Sequence, residues 1–201
     1  MKLVTGVKRD ANSGAVTNKV RAVVCGNFQR KSEHEDLYTA NADITSVRAV
    51  LATAAERRFS ANVLDVKTAF LNANLPDSFE TVYIRPPQAL VEFGLVKAGT
   101  IWRCVKAIYG LRISPKAWGL ERDKELKKMT VNLHGKKYYF KQSVIDPSVW
   151  TILDSGCVPE GAGSGSQVRT DAAAIGFLVT YVDDFLILGS DELIDAVTNV
   201  I

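Results

Sequence analysis

Cysteine, histidine and long apolar runs are what this 201-residue chain has little of. Its three cysteines, Cys25, Cys104 and Cys157, are odd in number, widely separated and without a Cys-x-x-Cys spacing. That pattern argues against a disulfide framework and a zinc site, and it fits a reducing compartment. The two histidines, His34 and His134, lie far apart in polar surroundings, so nothing points to histidine-based catalysis. There is no apolar run long enough to span a bilayer and no charged start followed by an apolar signal segment, so the expectation is a soluble intracellular protein with no membrane partner. No internal repeat is visible. The charge excess is small, formally +3 with a pI near 8.7, which permits an anionic partner without demanding one. What is present, 47% hydrophobic and 23% charged residues, suits a folded chain with one sizeable core, or one domain with a lobe attached.

The stretch 176–189 organises the rest. Two β-prone apolar runs, Gly176-Phe177-Leu178-Val179-Thr180-Tyr181 and Phe185-Leu186-Ile187-Leu188, enclose Asp183 and Asp184. Asp is depleted in strand interiors and favoured in tight turns, so the expected structure is a β-hairpin with the two acids at or beside its tip. Two adjacent carboxylates at the rim of a buried sheet repel each other unless water solvates the turn or a cation lies between them. A solvated turn and a divalent-metal site are both open on this stretch alone. Upstream, Asn62-Val63-Leu64-Asp65-Val66 ends another strand-like run in an acid, and three acids at two strand ends could share a metal pair.

Taken in order, residues 3–24 read as a hairpin across the turn-rich Asp10-Ala11-Asn12-Ser13-Gly14. Period 2 places Lys19 and Arg21 on one face, either a phosphate grip or a solvated outer face. A helix is expected over 43–55 with Asp43 as its N-cap, then a strand over 60–66 that delivers Asp65, then a turn or short helix from Thr68. Phe70 is either core or a wall of the site that Asp65 occupies. Short strands follow near 81–85 and 101–105. Ser114-Pro115 opens a helix to about Met129, with Ser114 as N-cap, whose many cations read as a solvated face or as a nucleic-acid track. Residues 135–153 resemble a hairpin, 154–171 a flexible surface loop rich in Gly and Ser, and the chain ends in a helix capped by Ser190 or Asp191.

In order along the chain, five motifs resemble the reverse transcriptase (RNA-directed DNA polymerase) segment of copia-type long-terminal-repeat retrotransposon polyproteins. They are Lys19-Val20-Arg21-Ala22-Val23-Val24-Cys25-Gly26-Asn27-Phe28-Gln29, Leu64-Asp65-Val66-Lys67-Thr68-Ala69-Phe70-Leu71-Asn72, Val82-Tyr83-Ile84-Arg85-Pro86-Pro87, Ile108-Tyr109-Gly110-Leu111-Arg112 with Ser114-Pro115-Lys116-Ala117-Trp118, and Tyr181-Val182-Asp183-Asp184. The resemblance covers roughly residues 7 to 195. It implies an α+β right-hand polymerase fold, with fingers at about 1–42 and 73–113, a palm with an antiparallel sheet at about 43–72 and 114–201, 154–171 as an inserted loop, and no thumb. It further implies that Asp65, Asp183 and Asp184 are the catalytic acids. The implied ligands of two Mg²⁺ ions, with Mn²⁺ as the alternative, are these acids together with Val66, Asp65 and Asp183 bridging and Asp184 supporting. Phe70 matches the aromatic gate that excludes a 2′-hydroxyl, and Ala69 the floor beside it. Lys19 and Arg21 match cations near the triphosphate, and Tyr109 and Gly110 the lining of the nucleotide pocket.

The partners implied are an RNA or DNA template with its primer, deoxynucleoside triphosphates, and the rest of the polyprotein, namely thumb, ribonuclease H and integrase. The implied location is the cytoplasm, in virus-like particles, with the nucleus as the alternative. The sequence departs from the family at Cys25, where a lysine is usual, at Ala73, where a glycine is usual, and at Ile113, where a glutamine is usual. An inactive remnant that keeps the fold and binds nucleic acid is the alternative function. A nucleotide cyclase on a palm-like sheet is disfavoured by Phe70 and by the tyrosine before the acid pair.

Overall fold

A computed structural model describes residues 1–10, 13–29, 37–76, 78–155 and 174–201; most of the expected loop, 156–171, lies outside the described residues. In chain order the elements begin with β1 (Lys2–Arg9), β2 (Val16–Val23), a single 3-10 turn over Gly26–Phe28, α1 (Ile44–Glu56), β3 (Ser60–Asp65) and α2 (Ala69–Asn72). Then come β4 (Tyr83–Ile84), α3 (Gln88–Glu92), β5 (Trp102–Arg103), α4 (Ser114–Lys128), β6 (Thr130–Leu133) and β7 (Lys136–Gln142). The last four are β8 (Val149–Asp154), β9 (Gly176–Tyr181), β10 (Asp184–Gly189) and α5 (Asp191–Thr198). The result is a mixed α/β chain with antiparallel sheets. It divides into two compact units, Met1–Tyr38 with Thr68–Trp118, and Thr39–Lys67 with Gly119–Ile201. Residues 68–72 and 114–118, grouped with the palm in the sequence reading, fall in the first unit, and 39–42, grouped with the fingers, fall in the second.

The second unit is built on a six-stranded sheet of order β3-β10-β9-β8-β7-β6, every described neighbour pair antiparallel. Alternation along the strands sets its two faces. On one, Leu186, Leu188, Val179, Phe177 and Val149 pack against Val47, Val50 and Ala54 of α1. On the other, Phe185, Ile187, Leu178 and Thr180 are buried. Asp43 caps α1, its carboxylate accepting from the Thr45 and Ser46 amides at 2.8 and 3.4 Å. Those bonds hold the carboxyl below its ordinary range, the Thr45 amide first. Ser190 caps α5 in the same way through the Leu193 amide.

Two features of this unit depart from the sequence reading. The expected hairpin over 135–153 is part of a three-stranded meander, β6-β7-β8. β6 and β7 are joined by His134-Gly135, both at positive φ, the signature of a type I′ two-residue loop. That dipeptide, lying between Val131 and Leu133 on one side and Tyr138 and Phe140 on the other, was the signal available in the sequence. Arg122, counted among the exposed cations of α4, is buried and paired with Asp123 at 2.8 Å, while Lys124 and Lys128 pair with Glu121 and Glu125. Much of that helix's positive charge is therefore met locally.

In the first unit, β1 and β2 form a ribbon in which every described residue but Val23 is exposed. Its core gathers Val24, Ile84, Leu111 and Ile113, with Val82, Trp102 and Cys104 packed alongside; burial pushes the Cys104 thiol up. Ser114 does not cap α4. It is the first helical residue, and its hydroxyl accepts from the Ile108 amide at 2.9 Å and donates to the Ile108 carbonyl at 2.6 Å, closing the 108–114 turn.

That turn lies close against the segment after β2. The Val24 amide donates to the Tyr109 carbonyl at 2.8 Å. Gly110 takes φ 86°, and a Cβ there would stand 2.0 Å from the Val24 carbonyl oxygen; a Cβ on Gly26 would stand 2.1 Å from the Gly110 oxygen. Only glycine fits either place. Gly110→Ala is therefore expected to cost about 2–4 kcal/mol, against about 1 kcal/mol for Gly135→Ala, which has positive φ but open space around it. Urea unfolding of the two variants measures the difference; equal losses would mean that the close approach carries no cost.

Candidate active site

In the second unit the β3–β10 ladder sets Asp65 directly across from Asp184, and the β9–β10 ladder sets Asp184 across from Tyr181. Register partners point to the same face, so Asp65, Asp184 and Tyr181 form one row of side chains. One row inward lie Val63, Leu186 and Val179, and the apolar packing begins there. Asp183 sits in the two-residue loop Val182-Asp183 that joins the strands. Its carbonyl accepts from the Val66 amide at 2.9 Å, which ties the loop to the residue following Asp65.

Both Asp65 and Asp184 are exposed and Asp183 is half-buried. No side-chain hydrogen bond or ion pair ties any of the three carboxylates to another described residue. Like charges directly across a ladder destabilise it, so the pairing of Asp65 with Asp184 is a charge conflict that the protein itself leaves uncompensated there. Among the described residues, no group of three or more His, Cys, Asp or Glu side chains is already gathered tightly enough to hold a metal ion. The donor chemistry nevertheless suits a hard divalent cation, being oxygen only and anionic.

The loop itself is strained. Val182 takes φ 55°, rare for any residue with a Cβ and an outlier for a β-branched one. Positive φ at the first central position of a two-residue hairpin loop is the pattern of a type II′ turn, which glycine normally supplies. The ladder on either side, Tyr181↔Asp184 above and Val66 bonded to Asp183 below, fixes this conformation. Beneath the acids, on their own face of the sheet, a cavity of about 450 Å³ is lined by Asp184, Tyr181, Val63, Leu186 and residues of α1.

The other sequence-predicted residues belong to the first unit. Ala69 is buried at the start of α2, and the Phe70 ring lies 4.8 Å from that of Tyr109 with the planes tilted by 60°. Thr68, which precedes them, is a second β-branched residue at positive φ, 54°. Gly110 follows Tyr109, and its open side is filled by the Val24 carbonyl. Ala73, where the family usually has glycine, is fully buried, and its carbonyl accepts from the Ala107 amide. Lys19 and Arg21 share a face of β2, exposed and without an ion-pair partner among the described residues. The structure thus collects Asp65, Val66, Asp183 and Asp184 in one unit, and Ala69, Phe70, Tyr109 and Gly110 in the other.

Residues 1–143 match the family model described as reverse transcriptase (RNA-dependent DNA polymerase). The chain belongs to the reverse transcriptase family. Curated relatives extend the likeness past that match. The retrovirus-related Pol polyprotein from tobacco transposon TNT 1-94 is 28% identical over 192 residues, 95% of this chain, so the alignment spans both Asp65 and the Asp183-Asp184 hairpin. Those from Arabidopsis thaliana transposons RE2 and RE1 are 30% and 29% identical over 88% and 86% of this chain. The chain spans only 10–12% of these relatives' own lengths. No solved structure gives a significant match.

Val182→Gly, which supplies the residue that the first position of a type II′ turn favours, is expected to raise the stability of this reverse transcriptase chain by about 1 kcal/mol. The readout is a higher urea midpoint at unchanged slope; a lower midpoint would show that the valine's packing outweighs its backbone strain.

Proposed function

We propose that this chain is the RNA-directed DNA polymerase segment of a copia-type retrotransposon polyprotein, and that it extends a primer strand with deoxynucleotides along an RNA or DNA template. The observation that carries the proposal is the register of β3 against β10. It places an acid from one motif opposite an acid from another 119 positions away, in a chain that belongs to the reverse transcriptase family.

Asp65, Asp183 and Asp184, with Val66, would hold two Mg²⁺ ions, Asp65 and Asp183 as the principal ligands and Asp184 in support. When bound, the ions supply activation of the primer 3′-hydroxyl and charge stabilisation for the triphosphate and leaving pyrophosphate. The acids' own part is to present fixed oxygen ligands, which the Val182-Asp183 loop and the Val66-to-Asp183 bond keep in place. Phe70, whose ring packs against that of Tyr109, takes the part of the gate against a ribose 2′-hydroxyl, with buried Ala69 as the floor beside it. Lys19 and Arg21 would supply cations for the triphosphate oxygens, a role to which the guanidinium fork of Arg21 is suited. Thumb, ribonuclease H and integrase segments of the polyprotein would complete the machine.

Two measurements test this reading. Asp183→Asn in the full-length polyprotein is expected to abolish primer extension while far-UV circular dichroism stays unchanged; extension at the parental rate would remove the metal assignment. Phe70→Ala is expected to raise ribonucleotide incorporation relative to deoxynucleotide by about tenfold or more, a pocket that loses its wall losing its discrimination. Unaltered sugar selectivity would take Phe70 out of the gate.

A further inference from the structure

The β1–β2 ribbon has two unlike faces. Ladder partners share a face and neighbours along a strand alternate, so the register sorts every side chain to one side or the other. One face carries Leu3, Val7, Val16, Val20 and Ala22, with Arg9 as its one charge, at the turn end. The other carries Lys2, Lys8, Lys19 and Arg21. Neither strand contains an acid. An antiparallel ribbon with one apolar and one polar side normally hides the apolar one. Here it is open, Val7 being 69% exposed and Val16 and Val20 57% each. The ribbon pairs with no other described strand, and a two-stranded hairpin by itself is marginal in water. Single exposed valines are ordinary on a protein surface, but aliphatic residues collected on one face with the cations collected on the opposite one are not a random scatter.

A polyanion is drawn to the cationic face, so the apolar face calls for an uncharged protein surface. Area decides between the candidates. Eight residues at about 3.4 Å each, two strands wide, make a face of roughly 27 by 10 Å, or about 270 Å². Two such faces stacked in a dimer bury about 540 Å², far below the roughly 1,600 Å² of a stable interface between separate molecules. A second copy of the chain is therefore too small an occupant. A segment tethered through the backbone needs less area, because the tether holds it at an effective concentration of about millimolar. Such segments exist in the relatives, of whose lengths this chain spans only 10–12%. We propose that the apolar face of the β1–β2 ribbon docks another segment of the same polyprotein, one that presents an uncharged aliphatic surface to Val7, Val16 and Val20. The cationic face stays free, and Lys19 and Arg21 point away from the docked segment. The proposal rests on the reading of this chain as one part of a polyprotein, and it uses none of the residues assigned to the metals or the nucleotide.

The test places one new thiol on either face and times its alkylation, peptide by peptide by mass spectrometry so that the native cysteines do not count. Val7→Cys and Val20→Cys report the apolar face, Lys8→Cys the cationic one. All three positions are exposed in the 201-residue chain and are expected to react there like a free thiol. In the full-length polyprotein Val7→Cys and Val20→Cys are expected to slow by about tenfold or more, because reaction waits for the docked segment to open, while Lys8→Cys keeps its rate. A benzophenone carried on Val7→Cys is expected to cross-link, within one polyprotein molecule, to a peptide outside these 201 residues. Equal rates in the two chains at Val7 and Val20 overturn the proposal, as does an equal slowing at Lys8. Slow labelling of the 201-residue chain that recovers on dilution, or a cross-link between two molecules, overturns it in favour of a second copy. Metal and nucleotide are left out, and Asp183→Asn is expected to leave all the rates unchanged, so a failure of the polymerase reading shows in primer extension and not here.

Discussion

The antiparallel ladder of β3 against β10 is the constraint on which the candidate site depends. Six register pairs, from Asp184↔Asp65 to Gly189↔Ser60, carry apolar packing at one end and an opposed pair of carboxylates at the other. Repulsion between the carboxylates is a surface effect worth at most about 1 kcal/mol. The rows behind them bury Phe185, Ile187 and Leu188, each worth about 1.5–3 kcal/mol. The apolar rows therefore decide where the strands lie, and the acids are held together against their own preference. A cation arriving there would meet ligands that need little ordering, because the sheet has already borne that entropic cost.

The same logic explains why the strained residues lie where they do. Val182 and Thr68, both β-branched and both at positive φ, each stand one position before a proposed site residue, Asp183 in one case and Ala69 in the other. Strain of this kind persists only where neighbouring structure over-determines it. For Val182 the neighbours are the two ladders and the Val66-to-Asp183 bond; for Thr68 they include the start of α2, whose Leu71 amide donates to the Thr68 carbonyl.

Much of this was legible from the residues. Apolar periodicity identified α1 and residue type its Asp43 cap, alternation identified β2, β-prone apolar runs identified β9 and β10, and the acids between those runs marked the hairpin tip. What escaped the sequence reading was decided by tertiary context or by a turn signal passed over. Ser114 looks like an N-cap because serine before proline usually is one, yet its hydroxyl closes a turn onto Ile108. Arg122 looks exposed among its charged neighbours, yet it is buried and paired with the adjacent Asp123. The β6–β7 hairpin was hidden behind a helix reading that ran up to it, although His134-Gly135 announces it. That Asp184 rather than Asp183 faces Asp65 could not be read at all, since register across 119 positions is a property of the sheet.

The loop between β9 and β10 has two residues, and that number matters as much as their identity. Side chains alternate along a strand, so a slip of the β9–β10 pairing by one position would move every side chain of β10 to the other face. Asp184 would then turn toward the face that now buries Phe185, Ile187 and Leu178, and the apolar set would turn toward the acids. A point change at Val182 alters strain alone, whereas a one-position slip of the register exchanges the sheet's inside and outside.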